Sequence, residues 1–352
     1  MKCRVGVAVS AITLVLAPAV MAKEKQLPPL GVIAASAGNV VVLAEPSGSW
    51  SDSFETGTVG WLYPAPGGVL FAPDLVRGRT TVLDLRGRRE VERLAGVTIP
   101  HFGADRDRYL VVADEVMVVS YPERAVIDRF HVGIESPWQV LPLSSTSLLV
   151  LDRRPDGRGG SALVAVDLVS RQVIYRSPLP GGVRRIAAST ALGVLAVADA
   201  DSQSVLLMDP STNTRLVELP AGASPRDVTF LGDGQALVAA LVDASGAGAV
   251  RVWVLKWAKG ELRIKNEQTV ALTGAPVRMS AWPLGPRVAV GVASAHIEVV
   301  DLDALEVVAS VPLPAPPRDV VWCDLAAPGP ALPDWSDQGP RELDLGGARK
   351  HP

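Results

Sequence analysis

A repeat of short strand-like segments constrains the fold of this chain more than any other feature. Its clearest copy is 224–257, SPRDVTFLGDGQALVAALVDASGAGAVRVWVLKW. Apolar runs at 228–231 and 236–242 flank a Gly-Asp-Gly turn, and valines alternate with other residues over 250–254, as in a strand. A fourth strand fits 269–272. Four antiparallel strands joined by short turns form one blade of a β-propeller.

Weaker copies of the third strand of this unit recur along the chain. In four copies an apolar run ends in Asp before a turn. The equivalent positions are Leu43, Asp84, Ser120, Asp167, Asp209, Val254 and Asp301. Their spacing ranges from 36 residues (84 to 120) to 47 residues (120 to 167), which surrounds the ~40–45-residue period of propeller blades. The pattern predicts an all-β, seven-bladed β-propeller of four-stranded antiparallel blades. A β-sandwich with coincidental spacing is the alternative.

The two chain ends complement each other. Segments 31–36 and 39–44 have the pattern of second and third strands without a first strand before them. Segment 317–322 (PRDVVW) repeats the first-strand sequence PRDV of 225–228 without later strands. We therefore expect the C-terminal strand to join the N-terminal blade and close the ring, which removes an open sheet edge. The polar stretch 45–60 predicts a loop with little strand character.

The N-terminus predicts export. Lys2 and Arg4 precede an apolar segment over 5–20, and a small-residue cleavage site ends at Ala22. A retained membrane anchor is the alternative, but the apolar run is shorter than the ~20 residues needed to span a bilayer and contains Pro18. We expect a periplasmic or secreted protein with no membrane span after signal cleavage.

These boundaries divide the chain into a signal peptide (1–22), one propeller domain (23–323) and a Pro- and Gly-rich tail (324–352). The chain has 34 Lys and Arg and 37 Asp and Glu. Removal of the signal peptide takes away two positive charges and leaves 32 − 37 = −5. This charge argues against a nucleic-acid partner and against adsorption to anionic membranes. Cys323 is then the one remaining cysteine, so no internal disulfide forms, and a buried thiol is expected.

Segment 222–239 (GASPRDVTFLGDGQALVA) resembles the YVTN-type, WD40-like repeat of bacterial seven-bladed β-propellers. The sequences RDV at 318–320 and VVDLDALEVVASVPLP at 299–314 are similar to it, whereas the P-R-D element is absent from the first four blades. That family includes binding propellers, subunits of periplasmic quinoprotein dehydrogenases and lactonase-like enzymes. The resemblance implies fold and compartment rather than an activity.

Alignment of the first strands predicts a binding site where they enter the central channel. The positions aligned with Arg226 are Trp61, His101, Trp138, Arg184, Val277 and Arg318. All of these except Val277, together with Arg226, are the candidate ligand- or partner-binding residues of the channel mouth. Arg presents a planar fork to anions and stacks on aromatic rings. We expect an anionic small ligand or an acidic segment of a protein partner there. The alternative is that Asp227 and Asp319 neutralise these arginines and only link blades.

The sequence predicts no catalytic residue, metal site or cofactor. Segment 199–203 (DADSQ) could wrap calcium, but it lacks the Gly and Glu of a full calcium loop, so a hairpin turn is expected. No G-x-S-x-G, Walker or dinucleotide-binding motif occurs in strand–helix context. The histidines lack metal-binding spacing: His101, His131, His296 and His351.

We therefore expect an exported, non-enzymatic propeller that acts as a protein- or ligand-binding scaffold in a periplasmic complex, either as a monomer or as a subunit of a hetero-complex. One alternative is a lactonase-like enzyme, for which His101 with Asp227 and Asp319 would be the catalytic cluster. Another is a subunit of a periplasmic quinoprotein dehydrogenase.

Overall fold

The structure, a computed structural model, describes residues 31–325 apart from 49–50, 97–98, 103–105, 113–114, 154–159 and 233. The predicted signal peptide and all but the first two residues of the predicted tail lie outside the described residues. The described part of the chain forms 28 strands. It contains no helix long and apolar enough to cross a membrane.

The strands form seven antiparallel sheets of four, which are the predicted blades. Blade 1 contains β1 (Gly31–Ala37), β2 (Val40–Ala44), β3 (Ser51–Glu55) and the last strand of the chain. Blades 2 and 3 contain β4 (Tyr63–Ala65), β5 (Val69–Asp74), β6 (Arg79–Asp84), β7 (Arg89–Ala95), β8 (His101–Phe102), β9 (Arg108–Val112), β10 (Glu115–Ser120) and β11 (Val126–His131). Blades 4 and 5 contain β12 (Pro137–Pro142), β13 (Ser147–Arg153), β14 (Ser161–Asp167), β15 (Gln172–Leu179), β16 (Val183–Ser189), β17 (Val194–Asp199), β18 (Ser204–Asp209) and β19 (Thr214–Pro220). Blades 6 and 7 contain β20 (Ser224–Phe230), β21 (Ala236–Val242), β22 (Gly248–Ala258), β23 (Glu261–Ala271), β24 (Pro276–Ala281), β25 (Arg287–Val292), β26 (His296–Asp301) and β27 (Glu306–Pro312), and the last strand is β28 (Pro317–Asp324).

The innermost strand of each blade lines a central channel, and neighbouring inner strands contact each other around the ring. Contacts run from β8 through β12, β16, β20 and β24 to β28, and from β28 to β4. Between β4 and β8 the rings of Tyr63 and His101 lie 5.4 Å apart. The seven inner strands therefore form one circle.

The closing strand lies where the sequence predicts it. β28 pairs antiparallel with β1, with Val32 opposite Cys323 and Ala34 opposite Val321. Cys323 is 2% exposed, and burial raises the pKa of its thiol to about 12. The thiol is therefore a core side chain rather than a reactive group.

The core is divided into seven apolar clusters, one between each pair of neighbouring blades. In β1, Ile33 and Ala35 pack in the cluster shared with blade 7, whereas Val32 and Ala34 pack in the cluster shared with blade 2. Both faces of the middle strands are thus buried, which explains apolar runs such as that of β21, whose seven residues are all buried.

The Asp at the end of several third strands has a structural function. Each carboxylate accepts hydrogen bonds from the backbone N–H groups two and three residues later and so stabilises the turn into the outer strand. The four residues are Asp84, Asp167, Asp209 and Asp301. The repeated Asp that helps to predict the fold is therefore a residue that stabilises the turn between the third and outer strands of these four blades.

The expectation of a loop over 45–60 is wrong, because this stretch contains β3. β3 is the outer strand of blade 1, and its residues alternate between exposed and half-buried. An outer strand buries only one face, so polar composition is compatible with it.

Candidate functional site

A β-bulge near the start of five inner strands determines which side chains reach the channel mouth. In each, the pairing with the second strand skips one residue, and the skipped residues are Trp138, Arg184, Arg226, Val277 and Arg318. A bulge leaves its extra residue unpaired and changes the direction of that side chain. Five of the seven positions aligned from the sequence are thus equivalent in the structure.

Trp61 is not equivalent to these five residues. The Leu62 N–H donates to Asp319 at 2.8 Å. The Met279 N–H donates to Asp227 of the preceding blade in the same way, at 2.9 Å. Met279 lies two residues after Val277, the bulge residue of its strand. Leu62 makes the same contact and therefore lies two residues after the bulge position of blade 2. Trp61 lies one residue after that bulge position.

His101 lies further along the channel than Trp61. Tyr63 pairs with Phe71 in blade 2, and His101 pairs with Leu110 in blade 3. Phe71 pairs in turn with Val82 and Leu110 with Val118, each two residues before the aligned third-strand position, so Tyr63 and His101 are equivalent. Since Tyr63 is two residues past Trp61, His101 lies three residues beyond the bulge position. The alignment fails in blades 2 and 3, whose inner strands are only three and two residues long and contain no bulge to mark the position.

A cavity of about 600 Å³ lies at the mouth of the channel; we call it the mouth cavity. Its charged lining side chains are Arg153, Arg184, Arg226 and Arg278, and no described Asp or Glu lines it. The guanidinium of Arg153 lies 5.1 Å from the ring centroid of Trp138, which also lines the cavity. The cavity is therefore cationic with an aromatic side.

The arginines of the mouth cavity differ in their partners. Among the described residues, Arg153, Arg184 and Arg226 form no ion pair with a carboxylate. The Arg184 Nε is buried and has no hydrogen-bond partner there. Arg318 is exposed and does not line the cavity, so the structure separates it from the other predicted residues.

The residues that follow the bulge form a charged layer across the channel, made of Arg185, Asp227, Arg278 and Asp319. The Nε of Arg185 lies 3.7 Å from Asp227 Oδ1, and the Nε of Arg278 lies 3.9 Å from Asp319 Oδ1. The carboxylates thus pair with the arginines of this layer, and Arg226 has no carboxylate partner among the described residues.

The same layer links neighbouring blades through the backbone. Asp227 and Asp319 accept from the N–H groups of the next blade described above. In blade 4 the equivalent residue is Gln139, whose side chain accepts from Ile186 N at 3.0 Å and donates to Ile186 O at 2.7 Å. The structural function proposed for the two aspartates is therefore present, and of the arginines that line the mouth cavity it involves Arg278 but not Arg184 or Arg226.

Burial shifts the pKa of two members of the charged layer, Asp319 and Arg278. It raises the pKa of Asp319 from an ordinary value of 3.8 to about 6, although Arg185, the Leu62 N–H and Arg278 each lower it. Asp227 raises it further. Burial likewise lowers the pKa of Arg278, and the nearby charge of Arg185 acts in the same direction.

A second cavity, of about 410 Å³, lies deeper in the channel; we call it the inner chamber. Blades 2 and 3 contribute Trp61, Tyr63 and His101 to its wall, and at the level of Tyr63 blades 5, 6 and 7 contribute the small side chains Ala187, Thr229 and Ser280. Other residues that line it include Arg185, Asp227, Phe230, Met279 and Asp319. Trp61 also packs edge-on against Trp138, with ring centroids 5.2 Å apart. Of the predicted site residues, the chamber contains Trp61 and His101, Trp138 lines both cavities, and the mouth cavity contains Arg184 and Arg226.

Burial keeps the aromatic wall of the inner chamber uncharged. It lowers the pKa of His101 to about 4. It also raises the pKa of the Tyr63 hydroxyl well above its ordinary value, with a further increase from Asp319 and an opposing effect of Arg185. His101, Asp227 and Asp319, the cluster considered for a lactonase-like site, all line the inner chamber, and within the described residues no hydrogen bond joins His101 to either aspartate.

The remaining candidates from the sequence are structural in the described part of the chain. Residues 199–203 form the turn between β17 and β18, in which Asp199 accepts from the Asp201 N–H and the Ser202 hydroxyl. No group of three or more His, Cys, Asp and Glu that could hold a metal ion occurs among the described residues.

Comparison with known proteins identifies the fold. No protein-family model matches the chain, and no curated protein matches it in sequence. Among solved structures, it is similar to Kuenenia stuttgartiensis hydrazine synthase, with a TM-score of 0.59, 17% identity and coverage of 75% of this chain and 89% of that chain. It is also similar to the β-propeller domain of Myceliophteria thermophila Cps50 (Swd1), with a TM-score of 0.58, 11% identity and coverage of 75% and 88%.

Apo AztD from Citrobacter koseri is a third similar structure, with a TM-score of 0.51, 16% identity and coverage of 81% of both chains. At these identities the similarity establishes a shared propeller fold and no shared activity. The YVTN-type family itself is not shown, and the resemblance of 222–239 to its repeat stays a prediction.

Proposed function

We propose that this protein is an exported, non-enzymatic binding propeller whose mouth cavity holds an anionic group, either a carboxylate or a phosphate. The group belongs to a small ligand or to an acidic segment of a protein partner in a periplasmic complex. The observation that carries the proposal is the set of four arginines around a cavity that no described carboxylate lines.

The electrostatics of the mouth cavity favour such a ligand. Arg153, Arg184 and Arg226 repel one another at the mouth, and solvent screens this repulsion only in part. The buried Arg184 Nε without a partner carries a desolvation cost of about 1–3 kcal/mol that an anion accepting from it would offset. A carboxylate or a phosphate presents two oxygens that match the two-pronged geometry of guanidinium groups.

The size of the cavity is also suitable. Pockets for small ligands are usually about 300–1,000 Å³, and the mouth cavity of about 600 Å³ lies within this range. The position of the cavity at the channel mouth also favours ligand binding, because equivalent side chains of a circular repeat converge on one opening. Export is supported by the signal-peptide pattern of 1–22.

The proposal is tested by calorimetric titration with inorganic phosphate and with a short poly-glutamate peptide. Wild type is compared with the double variant Arg184→Gln/Arg226→Gln. Arg318→Gln is the matched control, since Arg318 has the same bulge position but lies outside the cavity. We expect the double variant to lose binding while its melting temperature changes little, and we expect Arg318→Gln to bind as wild type does.

The two probes distinguish the sources of the anion. Tighter binding of the peptide than of phosphate identifies an acidic protein segment, and the reverse identifies a small phosphorylated ligand. Binding that weakens equally in Arg318→Gln and in the double variant would show only general surface attraction and would overturn the proposal.

A further inference from the structure

We infer that the inner chamber is a second binding site, separate from the mouth cavity, for a small uncharged planar molecule that carries a carbonyl group. Three observations lead to this: the shape of the chamber, the polar atoms on its aromatic wall and the balance of charge around it. None of them depends on Arg153, Arg184 or Arg226, the mouth arginines on which the anion proposal is tested.

The shape of the chamber comes from unequal side chains on opposite parts of the ring. Blades 2 and 3 place Trp61, Tyr63 and His101 in the wall, and the inner strand of blade 3 is only two residues long. The blades across the channel contribute Ala187 and Thr229 at the positions that correspond to Tyr63. Large rings facing small side chains leave a space beside an aromatic surface, and flat molecules bind to such surfaces by stacking or edge contacts.

The aromatic wall offers hydrogen bonds that the protein does not use. Trp61 Nε1 is a donor, the Tyr63 hydroxyl is a donor and acceptor, and a neutral His101 ring has one donor and one acceptor nitrogen. No described residue forms a hydrogen bond with any of these atoms; the three rings contact other rings instead. A carbonyl oxygen would accept from both the Tyr63 hydroxyl and Trp61 Nε1, and an adjacent N–H would donate to His101.

The charges around the chamber disfavour an ion. Of the charged layer, Arg185, Asp227 and Asp319 line the chamber, and each aspartate already lies beside an arginine of the layer, Asp227 beside Arg185 and Asp319 beside Arg278. The aromatic wall adds no charge, because burial keeps His101 deprotonated and Tyr63 protonated at neutral pH. An ion that entered would lose hydration without gaining an unpaired opposite charge.

Benzamide, benzoate and benzamidine provide a matched set of probes, because they share one ring and differ in charge. The indole N–H resonances of the eight tryptophans are followed by nitrogen-15 NMR, and that of Trp61 is assigned with Trp61→Phe. We expect benzamide to shift the Trp61 resonance in a saturable way and to bind at least tenfold more tightly at this site than benzoate or benzamidine.

Variants separate this site from the mouth cavity. Ala187→Phe fills the chamber and should abolish the benzamide shift, and Tyr63→Phe, which keeps the ring, should weaken binding about threefold to tenfold, as expected for one hydrogen bond. Arg184→Gln/Arg226→Gln should leave benzamide binding unchanged while abolishing anion binding at the mouth. If Ala187→Phe fails to fold, Tyr63→Phe decides the question.

The inference is overturned if benzamide at saturation leaves the Trp61 resonance unmoved, if benzoate binds at this site as well as benzamide does, or if Tyr63→Phe has no effect. These results leave the mouth-cavity proposal untouched, since that proposal fails only on the arginine variants.

Discussion

Replacement of Asp319 by Asn should reveal a pH dependence of stability opposite in sign to that of most carboxylates. The folded-state pKa of Asp319 is about 6, above the ordinary value of 3.8, because burial outweighs the attraction of Arg185 and Arg278. A group whose pKa rises on folding contributes stability that is present below its unfolded pKa and is lost as the pH rises through its folded pKa.

The size of this effect follows from the two pKa values. A rise from 3.8 to about 6 corresponds to about 3 kcal/mol of unfolding free energy. The amide introduced by Asp319→Asn keeps an acceptor for the Leu62 N–H but does not titrate. The difference in unfolding free energy between wild type and Asp319→Asn should therefore fall by up to about 3 kcal/mol between about pH 4 and pH 7.

Urea unfolding followed by tryptophan fluorescence measures this difference at each pH, and subtraction removes the contributions of all other titrating groups. His101→Gln is a control of opposite sign. Because burial lowers the pKa of His101 from 6.5 to about 4, its contribution is present above pH 6.5 and is lost as the pH falls toward 4. A difference between wild type and Asp319→Asn that grows with rising pH would show that the arginines, rather than burial, dominate, and would refute the reasoning.

Three further predictions concern the ring. Deletion of 317–323 should lower the melting temperature of the whole protein and promote association, because it removes the closing strand with the buried side chains of Val320, Trp322 and Cys323. Burial of a side chain such as Val320 alone stabilises by about 1.5–3 kcal/mol. Unchanged melting of a monomer would contradict this. Gly291→Ala should lower the free energy of unfolding by about 1–3 kcal/mol, since a Cβ there would lie 2.6 Å from Val320 Cγ2 and 2.7 Å from Pro317 Cγ. Gly60→Ala, whose Cβ would have no atom within 4 Å, should be neutral in the same urea titration. Far-UV circular dichroism should show negligible helix in residues 23–352, the chain without the predicted signal peptide, and a helical content above about a quarter would contradict the fold.

The fold is predictable from the sequence because its signals are local. The Asp at the end of a third strand stabilises a turn within three residues, as at Asp84 and Asp301, and the apolar runs report strands buried on both faces. The outer strand β3 carries no such signal, since one face is solvent-exposed and its polar residues resemble those of a loop.

The candidate site is less predictable, because it depends on register between blades. The P-R-D element marks the bulge at Arg226 and Arg318, and the sequence alignment finds it. Blades 2 and 3 lack that element, so the positions of Trp61 and His101 follow only from hydrogen bonds and pairing across the ring. Arg153 reaches the mouth from the end of a second strand, a position that alignment of first strands does not consider.

The pairing of the aspartates could not be read from the sequence either. Asp227 follows Arg226 directly, which suggests that the two neutralise each other, but Arg226 is the unpaired residue of a β-bulge, which changes the direction of its side chain. Asp227 pairs instead with Arg185 of the neighbouring blade. Among the described residues, Arg184 and Arg226 therefore have no carboxylate partner, which is the basis of the proposed anion site.

The most direct measurement of the central claim is the location of an anion in crystals of the protein soaked in selenate, found from the anomalous scattering of selenium. We expect a selenate in the mouth cavity, within hydrogen-bond distance of Arg184 Nε and of the Arg226 guanidinium, and no selenate there in crystals of Arg184→Gln/Arg226→Gln. Selenate bound at Arg318 and other exposed arginines, with none in the mouth cavity, would contradict it.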